Sequence, residues 1–148
     1  KFRLADGSYL TARIIGFNHD YASDGSLVHI TFETVETLDG DIPMNEKPTN
    51  EGGWDASYLR VKLNGNFFEK QLPADLKAVI KPVVKMTAKS SKKEVRVPSV
   101  DKLFVLSEQE VFGRKIYYCG YEGKWYEWYK RETTPYGKCT QNGERDRR

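Results

Sequence analysis

One run in the middle of the chain constrains its fold more than any other. Residues 52–64 read Gly-Gly-Trp-Asp-Ala-Ser-Tyr-Leu-Arg-Val-Lys-Leu-Asn and contain no nucleophile, no paired acid and base, and no group of metal ligands. Its large apolar residues are spaced to share one face of a short helix that begins at Asp55 or Ser57; they are Trp54, Tyr58, Leu59 and Leu63. We therefore expect this run to hold a scaffold together and not to carry chemistry.

Two segments before this run are expected to form an antiparallel pair of strands. Residues 9–17 and 27–35 are rich in β-branched and aromatic side chains, which favour pleated, half-buried surfaces. An Asp-Gly pair precedes each segment, and glycine reaches positive φ without steric cost, as many turns require. The link at 18–26 is longer than a two-residue turn, so the sequence predicts a hairpin with a wide loop.

The second half of the chain is expected to alternate short helices and strands. The predicted elements are a helix over 73–80, ended by Pro82, and strands over 83–87, 95–100 and 102–106. The residues between the first two of these strands, 88–94, are small or charged and predict a projecting loop. Ser107 and Glu110 have the spacing of a helix capping box, and Gly113 is a natural end for that helix.

Size and composition fit one folded domain. The chain has 148 residues, of which 39% are hydrophobic, and its 7 Phe, 9 Tyr and 3 Trp argue against disorder because large rings supply burial. We expect residues 1–136 to form this domain and the basic residues 137–148 to form a mobile tail. Cys119 and Cys139 fit neither a disulfide framework nor a zinc site, and no apolar run is long enough to cross a bilayer.

Blocks distributed over most of the chain match, in order, the pattern of a known family. The blocks are Ala12-Arg13-Ile14-Ile15-Gly16-Phe17-Asn18-His19-Asp20, Gly52-Gly53-Trp54 with Ser57, Leu59-Arg60, Leu63-Asn64, Leu72-Pro73 through Ile80-Lys81-Pro82-Val83, Val100-Asp101-Lys102, Leu106-Ser107-Glu108 and Tyr126-Glu127-Trp128-Tyr129. On these blocks the chain resembles an uncharacterised domain family, a domain of unknown function, of gut-type bacteria and their prophages.

The resemblance implies an α+β fold similar to C-type-lectin-like domains, with antiparallel strands and two or three short helices. It implies part of a prophage or cell-surface protein, associated with a virion or a cell surface, and it supplies no catalytic residue and no cofactor. The family usually continues with a Trp-Leu-Arg-Ser-Pro-like strand and a closing strand, whereas this sequence ends at Arg148. Because the sequence also begins at Lys1 without a methionine, we expect a piece of a longer polypeptide whose sheet is incomplete at its C-terminus. The Glu-Pro-Asn and Trp-Asn-Asp signature of true C-type lectins is absent from the sequence.

An aromatic-rich segment, residues 117–136, is the best candidate for a binding site. Its candidate ligand-binding residues are Tyr117, Tyr118, Tyr121, Trp125, Tyr126, Trp128 and Tyr129. Such rings pack on sugar faces or protein hot spots, but they could equally fill a core that lacks aliphatic residues. Trp125 and Trp128 are three apart and could face inward together, which would leave the tyrosines outside. We expect a non-catalytic recognition or structural domain that binds a protein or a glycan.

A basic segment supports a first alternative, a nucleic-acid-binding module. Residues 77–102 hold eight Lys and Arg against Glu94 and Asp101, and phosphate contacts need such groups on one face. The residues that would make these contacts are Lys85, Lys89, Lys92, Lys93 and Arg96. A solvated, aggregation-resistant loop is the simpler interpretation of the same pattern.

A second alternative is a hydrolase centred on His19 and Asp20, which the hairpin loop would hold side by side and which His29 could join. The simpler interpretation is a polar turn, because adjacency alone does not supply catalytic geometry. Arg60 could likewise clamp an anionic ligand. An arginine beside Trp54 more often pairs with a local carboxylate or carbonyl.

Overall fold

Three antiparallel hairpins make up the strand content of the described residues, and each is a two-stranded sheet of its own. The computed structural model describes residues 1–38, 41–90, 93–113 and 122–132. The strands are β1 Phe2–Arg3 with β2 Tyr9–Leu10, β3 Ala12–Tyr21 with β4 Leu27–Thr34, and β5 Val83–Ser90 with β6 Lys93–Asp101. The predicted tail at 137–148 lies outside the described ranges, as do Cys119 and Cys139.

The hairpin of β3 and β4 differs from the prediction in the width of its loop. β3 continues to Tyr21, and only residues 22–26 connect it to β4. Two register shifts along β3 let the pairing resume at Asp20 with Val28, so the strand extends past the predicted end. His19 and Asp20 therefore lie in a strand and not in a loop, which corrects the prediction.

Short helices connect and cover the hairpins. They are α1 Tyr58–Lys62, a π-helical turn Leu63–Phe67, α2 Phe68–Gln71, α3 Ala74–Val79, α4 Glu108–Phe112 and α5 Glu127–Glu132. The start predicted at Ser57 is confirmed, because its side chain accepts the backbone N–H of Arg60 at 3.1 Å. The capping box of Ser107 and Glu110 is confirmed as well. Gly113 ends α4 with a φ of 68°, in the left-handed region that favours glycine.

The tryptophan-centred run is tied to the end of β6 through one buried carboxylate. Asp101 accepts hydrogen bonds from Trp54 Nε1 at 2.9 Å and from Arg60 Nε at 2.6 Å. Ser99 Oγ donates a third bond at 2.6 Å, and the Asp101 side chain is fully buried. Trp54 reaches this carboxylate from the turn before α1, and not from the helix face as predicted. The run thus joins helix to strand, and the expected pairing of Arg60 with a carboxylate is confirmed.

The prediction of a strand over 102–106 is wrong, because this segment has no regular secondary structure. The backbone N–H groups of Lys102 and Leu103 donate to Asn64 Oδ1 at 2.9 and 3.0 Å. Asn64 Nδ2 donates in turn to the Leu103 carbonyl at 2.7 Å. Because one side chain satisfies the backbone groups that a strand ladder would use, the segment stays irregular.

Two clusters of buried apolar side chains are present among the described residues. Leu4, Leu10, Phe68 and Leu72 form the first, which joins the β1–β2 hairpin to α2. Ile15, Tyr126 and Tyr129 form the second, which joins β3 to α5. Antiparallel hairpins packed with short helices make the fold class α+β, as predicted. Within the described ranges, no helix combines the length and the hydrophobicity needed to cross a bilayer.

Candidate functional site

In the aromatic segment, the tyrosines of the last helix region face inward and the tryptophans do not, which is the reverse of the arrangement predicted. Tyr126 and Tyr129 are buried, with 0% and 5% of their surface exposed, whereas Trp125 and Trp128 are only partly buried. The tyrosines face inward because their hydroxyls find carboxylate partners there: Tyr126 donates to Asp20 at 2.8 Å, and Tyr129 donates to Glu33.

The exposure that a binding role requires is therefore missing at Tyr126 and Tyr129. Trp125 is held by a hydrogen bond from its Nε1 to the Val111 carbonyl at 3.0 Å, and Trp128 lies under the Arg13 guanidinium, 5.0 Å from the ring centroid. Their contact with a ligand stays a prediction. The remaining candidates, Tyr117, Tyr118 and Tyr121, lie outside the described residues.

A buried ionic cluster of Asp20, Thr31, Lys85, Glu110 and Tyr126 lies between the two longer hairpins and the last helices. Lys85 Nζ is 3.2 Å from Asp20 Oδ1 and 3.1 Å from the Tyr126 hydroxyl, and it also donates to Glu110 Oε1. Thr31 Oγ1 donates to Asp20 Oδ2 at 2.5 Å. The side chains of the three charged members, Asp20, Lys85 and Glu110, are at most 7% exposed, so the cluster is closed to solvent.

Burial and the neighbouring charges set the ionisation of the cluster. Burial raises the pKa of Glu110, and the charge of Lys85 offsets this only in part. Burial also acts to raise the pKa of Asp20, but the neighbouring His19 ring nitrogen and the charge of Lys85 outweigh it and lower that pKa well below its usual range. Burial, together with the charge of Glu110, raises the pKa of Tyr126 above its usual range.

His19 contacts this cluster from its edge. Its ring stacks on the ring of Tyr126 with centroids 3.7 Å apart, Nε2 lies 3.1 Å from the Lys124 carbonyl, and Nδ1 lies 3.5 Å from Asp20 Oδ1. His29 does not join them, because its Nδ1 lies 2.9 Å from Asn18 Oδ1. Among the described residues, no group of three or more His, Cys, Asp and Glu side chains is arranged to hold a metal ion.

The basic segment does not present all its predicted phosphate contacts. Lys85 is buried in the ionic cluster, so including it among the nucleic-acid contacts is wrong. Lys89 is exposed, and Arg96 is half-buried with Nη1 3.2 Å from the Val95 carbonyl. Burial of Lys85 follows from the alternation of β5, which turns this residue towards β3.

An apolar groove of about 490 Å³ lies along β4. Every residue of this strand, 27–34, lines the groove. Because neighbouring residues of a strand point to opposite faces of its sheet, a groove that touches all of them runs along the edge of the strand. In the part of the chain that the structure describes, β4 pairs with β3 alone, so this edge has no strand partner.

The wall opposite β4 is also apolar. It includes Phe67, Leu76, Val79, Ile80, Leu103 and Phe104, from the helices and the segment after β6. Lys81 and Lys102 are the basic residues of the lining, and its one carboxylate, Glu33, is already paired with Arg13. Among the described residues, the groove thus places a strand edge without a strand partner against an apolar surface whose lining contains two lysines.

The face of the β3–β4 hairpin that points away from the ionic cluster is apolar, and no described element covers it. Ile14 pairs with Phe32 and Phe17 pairs with Ile30, and these four side chains are between 38% and 62% exposed. Contiguous exposed apolar residues of this kind mark interaction surfaces. β4 also contains no proline or lysine, the residues that commonly protect a free strand edge.

The fold and the groove define a small α+β domain in which, within the described ranges, one edge of β4 has no strand partner. By sequence, the chain belongs to the family described as a domain of unknown function (DUF6273), whose profile matches residues 26–146. This confirms the predicted membership of an uncharacterised domain family. No curated protein and no solved structure matches the chain, and the lectin-like resemblance stays a prediction.

Sequence reasoning identified neither the groove nor the ionic cluster. A signal for the groove is present in β4, where apolar residues at 28, 30 and 32 alternate with polar ones and no residue protects the edge. The cluster has no local signal, because Asp20 and Lys85 are 65 residues apart and only the tertiary fold joins them.

Proposed function

We propose that this chain is a non-catalytic recognition domain that binds an extended apolar segment of a partner protein along β4. We also propose that it belongs to a larger bacterial or prophage protein at a virion or cell surface. The groove is the observation that carries the first proposal, since it sets an unpaired strand edge against an apolar wall. A peptide there would pair its backbone with β4 and bury alternate side chains, which is recognition by strand addition.

The character of the groove favours a protein ligand over a glycan. Sugars need hydrogen-bond partners around an exposed ring face, whereas the wall opposite β4 is built from aliphatic and phenyl groups. In the described lining Glu33 is paired with Arg13, and Asp24 interacts electrostatically with Lys81. We therefore expect an acidic residue that flanks the apolar part of the ligand to lie near Lys102.

Selection from a random peptide library on the immobilised chain tests this proposal. We expect selected peptides to alternate apolar residues over about one strand length and to carry an acidic flank. Ile30→Lys and Phe32→Lys should each weaken their binding by about tenfold or more, which corresponds to about 1.4 kcal/mol. Val61→Lys is the matched control, because Val61 is 64% exposed on α1 and does not line the groove.

The outcomes separate the competing interpretations. Peptides that bind Ile30→Lys as well as the original chain would contradict the proposed site. Glycan binding on an array that is equally strong for the original chain and for both groove variants would indicate that the ligand is a sugar. Enrichment of Trp-Leu-Arg-Ser-Pro-like sequences would identify a closing strand of the family's own type as the occupant and would favour a structural role.

The two alternative functions gain no supporting observation. A nucleic-acid module would have to work without Lys85, and a hydrolase would need a substrate to reach His19 and Asp20 beside a closed cluster. Binding of single-stranded DNA that weakens steeply with salt and is lost in Lys89→Glu would support the first. Hydrolysis abolished by His19→Ala would support the second.

A further inference from the structure

The ionic cluster joins two hairpins that share no backbone ladder. Lys85 lies on β5 and Asp20 on β3, and these strands belong to separate two-stranded sheets. The amine nitrogen of Lys85 is 3.2 Å from Oδ1 of Asp20, and the two side chains are 7% and 5% exposed. A primary amine is therefore held against a carboxyl group at a site closed to bulk water, which is the situation in which proximity raises reactivity most.

The other members of the cluster surround this pair as a reaction site would. Oδ2 of Asp20 accepts hydrogen bonds from the Tyr126 hydroxyl at 2.8 Å and from Thr31 Oγ1 at 2.5 Å. Two donors on this oxygen would stabilise the negative charge that develops there when a nucleophile adds to the carboxyl carbon. Glu110 accepts a hydrogen bond from Nζ of Lys85, the attacking nitrogen. Its carboxyl group is therefore placed to take protons from this nitrogen and to give them up again.

We propose that Lys85 and Asp20 condense to an amide that cross-links β5 to β3, with Glu110 moving the protons. One proton passes from the ammonium of Lys85 through Glu110 to the Asp20 carboxylate, which leaves a neutral amine beside a neutral acid. Nζ then adds to the carboxyl carbon and the C–N bond forms. Glu110 takes a second proton from this nitrogen and gives it to the departing hydroxyl, the C–O bond breaks, and water leaves.

The reaction is balanced within the chain and needs no oxidant or activating group. It removes two opposite charges from a buried site, where each carries a desolvation penalty. The hydrogen bonds that lower the pKa of Asp20 keep its carboxylate ionised, so the condensation depends on a carboxyl group that gives up a proton in the interior. Glu110, which accepts a hydrogen bond from Lys85 Nζ, is that group and relays the proton of the ammonium. The inference does not depend on the β4 groove.

The intact mass of the full chain, measured after denaturation, tests the proposal. We expect a mass lower than that of the sequence by one water, and a proteolytic fragment in which residues 20 and 85 are joined. Lys85→Met and Asp20→Ala should show the full mass of their sequences, and Glu110→Gln should retain both partners without the cross-link. Tyr129→Phe is the control for loss of a buried hydroxyl, because its partner Glu33 lies outside the cluster, and it should still cross-link.

A second source of water loss has to be separated from the first. The Asp-Gly pairs at 6–7, 24–25 and 39–40 can lose the same mass by forming a succinimide, which hydroxylamine opens. The amide proposed between Lys85 and Asp20 survives that treatment. The proposal would be overturned if the original chain kept its full sequence mass after prolonged incubation. It would also be overturned if the water loss mapped only to Asp-Gly pairs. Lys85 and Asp20 would then form an ion pair only.

Discussion

At the residue scale, the structure depends on two buried carboxylates that the sequence presents very differently. Asp101 ends β6 and collects the side chains of the tryptophan-centred run, and that run stands out in the sequence. The sequence shows Glu110 only as half of a capping box, although its carboxylate also accepts a hydrogen bond from Lys85 in the interior. Local spacing shows the first role of Glu110, but the second depends on a residue 25 positions away.

Asp101→Ala should be one of the most damaging single changes in the chain. It leaves Trp54 Nε1, Arg60 Nε and Ser99 Oγ without their acceptor, and breaking a buried pair of this kind costs about 3–5 kcal/mol. Asp55→Ala is the matched control, because Asp55 pairs with the same arginine but is 44% exposed and should cost at most about 1 kcal/mol. Urea unfolding of both variants measures the difference, and equal losses would contradict the role given to Asp101.

The pH dependence of stability should report the ionisation of Glu110. Its pKa in the folded state is raised by burial above the value in the unfolded chain, so its contribution to stability is fully present at low pH. That contribution is lost as the pH rises through the raised pKa. Glu110→Gln cannot ionise, so its free energy of unfolding should fall less than that of the original chain above the ordinary glutamate range. Urea unfolding across pH checks this, and parallel curves would refute it.

At the element scale, signals that act within a few residues predicted the structure well. Ser57, Ser107 and Gly113 mark the helix ends that they were expected to mark, because a cap depends on neighbouring backbone groups. The predictions of a strand over 102–106 and of a wide loop at 18–26 are wrong for a different reason. Their outcome was decided by Asn64 and by the register of β4, which local propensity does not include.

Gly113→Ala should destabilise the end of α4. Gly113 has a positive φ, and an added Cβ would lie 2.4 Å from the ring of Trp125, so we expect a loss of about 1–3 kcal/mol. Gly65→Ala is the matched control, since an added Cβ there meets nothing within 4 Å and the residue lies in the π-helical turn. It should be neutral or stabilising by up to about 1 kcal/mol. Thermal unfolding compares the two, and a neutral Gly113→Ala would contradict this packing.

At the scale of the whole molecule, the sequence predicted the α+β class and membership of an uncharacterised family, and the order of its motifs was sufficient for both. It did not predict where the binding surface lies. Aromatic density pointed to 117–136, yet the two tyrosines of α5 and the turn before it are core residues. A groove arises from how separate elements pack, so the wall from α3 and the edge of β4 could not be paired in advance.

Backbone amide exchange along β4, followed by NMR with and without a library-selected peptide, tests the central claim most directly. Strand addition predicts that alternate amides of residues 27–34, those pointing away from β3, slow their exchange on binding. Phe32→Lys should abolish this protection, whereas Val61→Lys should keep it. Protection confined to residues 122–132, or bound peptide with unchanged exchange along β4, would contradict the account.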